Sequence, residues 1–435
     1  MGEIGQAVAG LEAWFETMRQ PGGYGGPVAH WWRDCLDYTG PGLDWRYEGI
    51  ILGYLNLWAA TGDGQWLAKA RRAGDDLVAG QLPSGNYRNS EFELNPGTGG
   101  TPHEAAADLA LLSLAEALRV HGETGWQVYL ATAERNLRGY YIARLWDAER
   151  SAFRDHPAVP SFVPNKSATL VEALLKWSAV TGNEEWAEVY ARPTLDTVLS
   201  HQVDGGVLDG AIAQYSHNGR LIHKYFPYYI ARCVSGLVAG YQWNGKERWL
   251  EGAKRGMAFV LRQRRDDGSF PQVVYAGGQV NRYPQWIAAT ADILRAQDLL
   301  RPHGVDADSE PTRQWLLSGQ MPSGAFRTAH GFASQAAGQR PPGPVPEFRD
   351  LLPVCGWNDK AFRWLTQQVP NAPGSTGWRN SDVQTQCTWN GVRLVYREDT
   401  TAIALLRNGE RLYHWNKEEP WAEDKGLLTV GVGLS

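Results

Sequence analysis

The chain has 435 residues, of which 43% are hydrophobic and 20% are charged, and its formal net charge is -5. These values are ordinary for a globular protein with a sizeable core, and they give neither a nucleic-acid-binding surface nor a polybasic membrane patch. No stretch approaches 18 uninterrupted apolar residues, so we predict no membrane span. The N-terminus shows no basic region followed by a long apolar run, which predicts a cytoplasmic protein.

The four cysteines predict no metal site. Cys35, Cys233, Cys355 and Cys387 are widely separated and form no CxxC pair. We therefore expect reduced thiols, no zinc and no other cofactor.

A helix is predicted near residues 3–20, and its end introduces a repeat. A glutamine is followed within a few residues by glycine, usually next to an aromatic residue. The copies are Gln20 with Gly23-Tyr24, Gln81 with Gly85-Asn86-Tyr87, Gln202 with Gly205-Gly206, Gln263 with Gly268-Ser269-Phe270, and Gln320 with Gly324-Ala325-Phe326. With one degenerate copy near Arg144, the repeat occurs six times, about every 60 residues.

A second marker lies between these copies and ends in tryptophan. It is a short glycine-containing turn, typical of a helical hairpin. Its tryptophans are Trp66, Trp126, Trp186 and Trp249.

Between the markers, buried helices alternate with more charged, outer helices. The buried helices are predicted near 45–60, 103–120, 166–180, 225–242 and 283–300, and the outer helices near 64–81, 124–144, 184–202, 246–263 and 308–320. The opening helix lacks an inner partner, and the stretch from Trp357 to Val369 supplies one. We therefore predict an all-α fold, an (α/α)6 toroid over residues 1–369 that is closed by its terminal helices.

The remaining residues, 370–435, have the pattern of a small antiparallel β-element. Alternating segments are separated by Asn390-Gly391 and Asn408-Gly409, which are strong hairpin signals.

The long connections between hairpins precede the inner helices, and long ordered loops are often functional. The free N–H groups and the helix dipole at the helix starts also favour anionic groups. We therefore place a pocket at this end of the ring. The helix starts and loops there supply the polar and aromatic candidates Asp44, Arg46, Glu48, Tyr87, His103, Glu104, Asn165, Lys166, Asp209, His223, Tyr225, Tyr228, Arg282, Tyr283 and Trp286.

With its six hairpins and glycine-aromatic loops, the chain over residues 1–369 resembles the six-hairpin glycosidase superfamily and the related toroid lyases and sugar epimerases. The resemblance rests on architecture and includes no family-specific catalytic motif. It implies a pocket at the same mouth, in which acidic residues or His and Tyr carry the chemistry, and a small-molecule or oligosaccharide substrate.

Glycoside hydrolysis is the first functional hypothesis, because it needs two carboxyl groups. Glu48, Glu104 and Asp209 are the candidates, although Asp209 beside Gly210 also suits a plain turn. The aromatic candidates would stack on sugar faces, while Arg46 and Lys166 would suit the carboxylate of an acidic sugar. On this hypothesis Glu48→Gln and Asp209→Asn each abolish turnover and leave thermal stability nearly unchanged.

Three alternatives remain open. A uronic-acid or N-acyl-sugar lyase or epimerase would use His103, His223 or Tyr225 as a base, with Asn165 or Arg282 on the developing enolate. An isoprenoid cyclase would use the aromatic pocket, and a non-catalytic toroid would bind a glycan or a protein. Two carboxyls about 5–10 Å apart in the mouth would favour the hydrolase.

Overall fold

The structure is a computed structural model. It describes residues 2–29, 36–38, 41–88, 101–336, 338–369, 383–389, 391–398 and 402–416. Its helices are α1 Glu3–Thr17, α2 Arg46–Thr61, α3 Gly64–Ala79, α4 Ala105–Val120, α5 Trp126–Asn136, α6 Pro164–Thr181, α7 Arg192–Ser200, α8 Pro227–Asn244, α9 Glu247–Arg262, α10 Thr290–Leu300, α11 Glu310–Ser318, α12 Phe332–Ala336 and α13 Cys355–Gln367. No helix among the described residues is long and apolar enough to cross a membrane.

Six of these helices contact one another in a closed cycle. Following the contacts, α2 packs against α4, α4 against α6, α6 against α8, α8 against α10, α10 against α13, and α13 against α2. Each also contacts an outer helix: α3 packs on α2, α5 on α4, α7 on α6, α9 on α8, α11 on α10 and α1 on α13. The opening and closing helices are therefore partners, although more than 300 residues separate them.

The hairpin turns follow from the tryptophan marker. Gly62 ends α2 and Gly182 ends α6 in the left-handed conformation, with φ of +69° and +74°, which glycine adopts without strain. In each of these two hairpins, the tryptophan that opens the next helix is buried and stacks on an aromatic ring of the preceding helix. The ring centroids of Trp186 and Trp177, for example, are 3.9 Å apart. The marker tryptophans in these hairpins thus have a packing role.

Close packing of α2 on α13 depends on two glycines of α2. A Cβ atom at Gly49 would overlap the backbone carbonyl of Asp359, and one at Gly53 would overlap the ring of Phe362. The two helices therefore approach closely enough for the Gly49 N–H to donate to the Asp359 carboxyl at 3.2 Å.

The strands are short except at the C-terminal end. They are β1 Arg19–Gln20, β2 Gly23–Tyr24, β3 Pro27–Ala29, β4 Leu36–Tyr38, β5 Trp146–Asp147, β6 Ala152–Phe153, β7 Ser161–Phe162, β8 Tyr215–His217, β9 Arg220–Ile222, β10 Lys224–Tyr225, β11 Val273–Tyr275, β12 Val280–Asn281, β13 Gln285–Trp286, β14 Ala329–His330, β15 Val383–Trp389, β16 Val392–Glu398, β17 Ala402–Arg407 and β18 Glu410–Asn416. Strands β15 to β18 form an antiparallel sheet in sequential order.

The C-terminal β-element was predicted from its turns, but the short sheets in the connections between hairpins were not. Sheets β7-β8-β9 and β10-β11-β12 lie in those loops. The molecule is therefore mostly helical with several small antiparallel sheets, and the expectation of a purely helical ring with one β-appendage was too simple. Strands of two or three residues are too short to show a sequence period.

Candidate functional site

A cavity of about 450 Å³ opens where the inner helices begin. Its lining comprises Trp45, Thr101, His103, Asp155, Val159, Ser161, Val163, Asn165, Lys166, Gln214, Tyr215, His217, Tyr228, Tyr229 and Trp357. Helices α2, α4, α6, α8 and α13 all contribute from their first turns or from the residues just before them. This volume is within the range of small-molecule sites.

One wall of the cavity is aromatic. Trp357 lies 6.3 Å from Trp45, 5.5 Å from Tyr228 and 4.8 Å from Trp286, measured between ring centroids. The indole N–H of Trp45 donates to the carbonyl of Gly356 at 2.7 Å, which fixes that ring at the start of α13. Rigid aromatic faces of this kind present apolar surface against which a sugar ring can pack.

His103 supplies a ring nitrogen to the same cavity. It lies in a 3-10 turn, Pro102–Glu104, that precedes α4, and its ring meets Trp45 edge-on at 5.0 Å. Burial lowers the pKa of His103 well below its usual range, and the nearby charges of Lys360 and Arg232 lower it further. The imidazole is therefore neutral at pH 7, the form in which it can accept a proton.

The cavity also holds an ion pair from two different elements. The ammonium group of Lys166, in the first turn of α6, lies 3.0 Å from the carboxylate of Asp155. Both side chains are largely buried. Asp155 is the one carboxyl group among the described lining residues, so these residues do not contain the expected pair of acids.

Tyr228 brings a phenol to the cavity from the first turn of α8. The side chain is 3% exposed, and its hydroxyl oxygen has no hydrogen-bond partner among the residues described. Burial raises the pKa of Tyr228 well above its usual range, and the nearby carboxyl of Asp292 raises it further. The phenol is thus protonated at neutral pH and can act as a donor.

Buried charges of the inner helices lie close to these lining residues. Glu48, in the first turn of α2, is fully buried and meets Arg232 at 2.6 Å, Lys360 at 3.3 Å and Arg363. Burial alone would raise the pKa of Glu48, but the three cations lower it well below its usual range. Glu48 therefore remains ionised and cannot donate a proton at neutral pH.

Further ion pairs extend this group across the inner helices. Lys360 meets Asp359 at 2.8 Å, and Arg295 of α10 meets Glu172 of α6 at 3.2 Å. Burial raises the pKa of Asp359 to about 8. We name as the ion cluster the side chains of Glu48, Glu172, Arg232, Asp292, Arg295, Asp359, Lys360 and Arg363. These eight side chains come from five of the six inner helices.

Four of the residues predicted from sequence lie together in the cavity lining: His103, Asn165, Lys166 and Tyr228. Trp286 lies behind them, against Trp357.

Other predicted residues are buried against partners of their own. Asp44 and Arg46 form an ion pair at 2.8 Å, and Arg46 also donates to the carbonyl of Tyr24. Tyr87 donates to the carboxyl of Asp108 at 2.6 Å. Glu104 is buried in the turn before α4 and is not part of the cavity lining.

A third set lies at other surfaces and loops. His223 is hydrogen-bonded to the hydroxyl of Tyr225 at 2.8 Å, outside the cavity lining. Arg282 lines a separate cleft, and Tyr283 is buried beside Gln339.

Asp209 is a turn residue. Its carboxylate accepts from the Gly205 N–H and pairs with Arg255, each at 2.8 Å, and these interactions lower the pKa of Asp209. Its sequence beside Gly210 had offered this interpretation.

Several lining residues were not predicted, because they lie in loops and short strands. Asp155 lies in the link between β6 and β7, and Ser161 begins β7. Gln214 precedes β8, and Tyr215 begins it. The only signal in the sequence for these four residues was the length of the connections between hairpins. Trp45 and Trp357 had a clearer signal, since each lies at a predicted helix start.

The described residues contain no group of three or more His, Cys, Asp or Glu side chains that could hold a metal ion. Residues 89–96, which the sequence offers either as a lid over the pocket or as a solvated loop, lie outside the described residues.

No family model and no curated protein matches the sequence. Solved structures do match it. An unsaturated glucuronyl hydrolase specific for heparin has a TM-score of 0.60 and 15% identity, and the match covers 84% of this chain and 95% of that one. A D-mannose isomerase has a TM-score of 0.60 and 14% identity, covering 83% and 96%.

The cellobiose 2-epimerase of Bacillus thermoamylovorans B4167 has a TM-score of 0.62 and 12% identity, covering 84% of this chain and 99% of the epimerase. At these identities the likeness is one of fold. The chain shares its fold with these three enzymes.

Proposed function

We propose that this protein is a carbohydrate-active enzyme, an (α/α)6 toroid over residues 1–369 with a β-rich appendage over 370–435. The observation that carries the proposal is the cavity at the helix starts. It combines the aromatic wall of Trp45 and Trp357 with the polar groups of His103, Lys166 and Tyr228. The three solved structures of the same fold are named as a glucuronyl hydrolase, a mannose isomerase and a cellobiose epimerase, which supports this assignment.

Hydrolysis of a glycosidic bond is the first reaction we propose. It needs one group that activates water and one that protonates the leaving oxygen. In the described lining, the carboxylate of Asp155 is the group suited to activate water, with its charge compensated by Lys166. The protonated phenol of Tyr228 donates its proton to the leaving oxygen, and exchange with solvent then returns to the phenol the proton that Asp155 took from the attacking water. Glu48 is excluded as the acid because its ion pairs hold it ionised.

Epimerisation or isomerisation of a sugar is the second candidate, favoured by the neutral state of His103. A neutral imidazole can remove the proton next to a carbonyl group. The Tyr228 hydroxyl could then donate to the carbonyl oxygen as negative charge develops on it. Asn165, also in the lining, offers a further amide donor.

One assay separates these reactions. The purified protein is incubated in D2O with neutral and uronic mono-, di- and trisaccharides, and the products are followed by NMR. Hydrolysis gives new reducing ends without deuterium on carbon, whereas epimerisation by proton abstraction gives a new epimer that carries deuterium at that carbon.

Variants assign the reaction to the cavity. We expect Asp155→Asn to lower a hydrolytic rate, and His103→Gln to lower an epimerisation rate, each by at least about a hundredfold. Asp209→Asn, in a turn outside the cavity, is the matched control and should retain activity. The proposal fails if no saccharide is converted, or if the cavity variants are as active as the control.

A further inference from the structure

Three buried polar atoms near the cavity have no hydrogen-bond partner in the described parts of the chain. They are the hydroxyl oxygen of Tyr228, Nη1 of Arg232 and Oδ2 of Asp292. The side chains are 3%, 1% and 2% exposed. Leaving such atoms unpaired costs about 1–3 kcal/mol each, so natural proteins rarely do so.

The backbone places the side chains that carry these atoms on neighbouring helix faces. Tyr228 and Arg232 are four residues apart on α8, which places them on the same face of that helix. Asp292 lies on α10, which packs directly against α8. The distance from Arg232 Nη1 to Asp292 Oδ2 is 4.0 Å. This is too long for a direct hydrogen bond and suits two groups that share one water molecule.

The rest of the Arg232 guanidinium is already fixed. Its Nε donates to the hydroxyl of Thr169 at 2.8 Å, and its Nη2 donates to Glu48 at 2.6 Å. Nη1 therefore cannot turn away to find another partner without breaking these bonds. The ion cluster therefore fixes the orientation of Arg232 Nη1.

We propose that Tyr228, Arg232 and Asp292 bind one buried water molecule, and that Asp292 thereby acts as a positioning residue for the Tyr228 phenol. The hydrogen bonds of this arrangement balance. Arg232 Nη1 donates to the water, which donates one hydrogen to Asp292 Oδ2 and the other to the Tyr228 oxygen. Three polar partners are typical of a buried water.

This arrangement gives the phenol a direction. Because its oxygen accepts from the water, the Tyr228 hydroxyl keeps its own hydrogen free to donate into the cavity. Asp292 thus orients a donor toward the sugar without touching it. This role rests on the proposed function, whereas the water site itself does not.

The site is tested first by a crystal structure of the unliganded full chain at about 1.8 Å or better. We expect density for one water within about 3.2 Å of all three atoms. A direct hydrogen bond between Arg232 Nη1 and Asp292 Oδ2, or no water on the phenol oxygen, would overturn the inference. No variant is needed, so a folding defect cannot obscure the result.

The positioning role is then tested with Asp292→Asn on the saccharide identified in the assay above. In this variant an amide group donates a hydrogen bond to the water, whereas the carboxylate accepted one from it. The water then no longer holds the phenol in the same orientation. We expect kcat to fall by at least about tenfold while KM changes less than about twofold. A purely structural role would instead lower the thermal midpoint and leave kcat of the folded fraction intact, which would overturn the assignment. If no saccharide is converted but the water is present, the proposed function fails and the water site stands.

Discussion

The carboxylate of Glu48 forms ion pairs with cations from two other helices. These cations are Arg232 of α8 and Lys360 and Arg363 of α13. Removing that charge leaves buried cations uncompensated, which typically costs 3–5 kcal/mol. We therefore predict that Glu48→Gln lowers the free energy of unfolding by about 3–5 kcal/mol, measured by urea denaturation. This replaces the expectation from sequence that the variant leaves stability nearly unchanged.

Asp209→Asn is the control for Glu48→Gln, because the exchange removes the same charge from a turn beside Arg255. Solvent replaces most of what a surface ion pair contributes, so the urea midpoint should hardly move. Equal losses of stability in the two variants would contradict the distinction between a buried and a surface carboxylate.

His103 predicts a specific dependence of stability on pH. The pKa of His103 is about 6.5 in the unfolded chain and is lower in the folded protein. At any pH between these two values, the unfolded chain therefore binds more protons than the folded protein. Stability is therefore lost as pH falls below about 6.5. Between pH 7.5 and pH 5.5, the free energy of unfolding of His103→Gln should therefore fall by up to about 1.4 kcal/mol less than that of the wild type.

The measurement compares urea midpoints of the wild type and His103→Gln at the two pH values. Contributions of other groups are common to both proteins and cancel in the difference. His121→Gln, at an exposed position in a hairpin turn, serves as the control. If His103→Gln and His121→Gln show the same pH dependence as the wild type, the imidazole is not held neutral by burial.

At the residue scale, the sequence predicted the position of the cavity better than the side chains that line it. His103, Asn165, Lys166 and Tyr228 lie at helix starts, and helix starts can be located from the hydrophobic period. Asp44 and Arg46 also lie at one, but they neutralise each other. Whether a polar side chain faces a cavity or a partner depends on tertiary contacts, which no local pattern contains.

The packing of α2 against α13 depends on Gly49. We predict that Gly49→Ala is destabilising by about 1–3 kcal/mol or more, because the added methyl group meets backbone of α13 that cannot rotate away. Thermal unfolding measures the loss. The substitution would otherwise favour the helix, since alanine has the higher helix propensity.

Gly64→Ala is the matched control in the adjacent helix α3. A Cβ at Gly64 meets no atom within 4 Å, so the same substitution has no packing cost there. We expect a neutral or slightly raised thermal midpoint. A similar loss for Gly49→Ala and Gly64→Ala would show that close approach of α2 and α13 is not what Gly49 provides.

At the element scale, most of the helices were predictable because each one has a hydrophobic period in its sequence and a residue pattern that marks its end. The helix predicted near 45–60 is observed at Arg46–Thr61, and the one near 246–263 at Glu247–Arg262. The β15 to β18 meander was foreseen from its Asn-Gly turns. The short sheets that shape the cavity loops carry neither signal, so their residues could not be placed.

The whole molecule depends on α13, which joins the two ends of the cycle of helices. It packs against α2, α10 and α1, and contributes Asp359, Lys360 and Arg363 to the ion cluster. We predict that a chain ending at residue 354 does not unfold cooperatively. It would expose the faces of α1, α2 and α10 to water and leave Glu48 without two of its cations.

A chain ending at residue 369 is the comparison that isolates this effect. It keeps α13 and removes the C-terminal sheet, whose contacts with the rest of the chain include Phe348 on Trp389 and the Thr388 N–H on the Pro346 carbonyl. Loss of those contacts should lower the calorimetric midpoint while a single transition remains, because the cycle of inner helices is intact. The chain ending at 354 should give a broad transition or none. If instead the chain ending at 369 also loses its transition, residues 1–369 do not form an independent unit, and the boundary proposed at residue 369 is wrong.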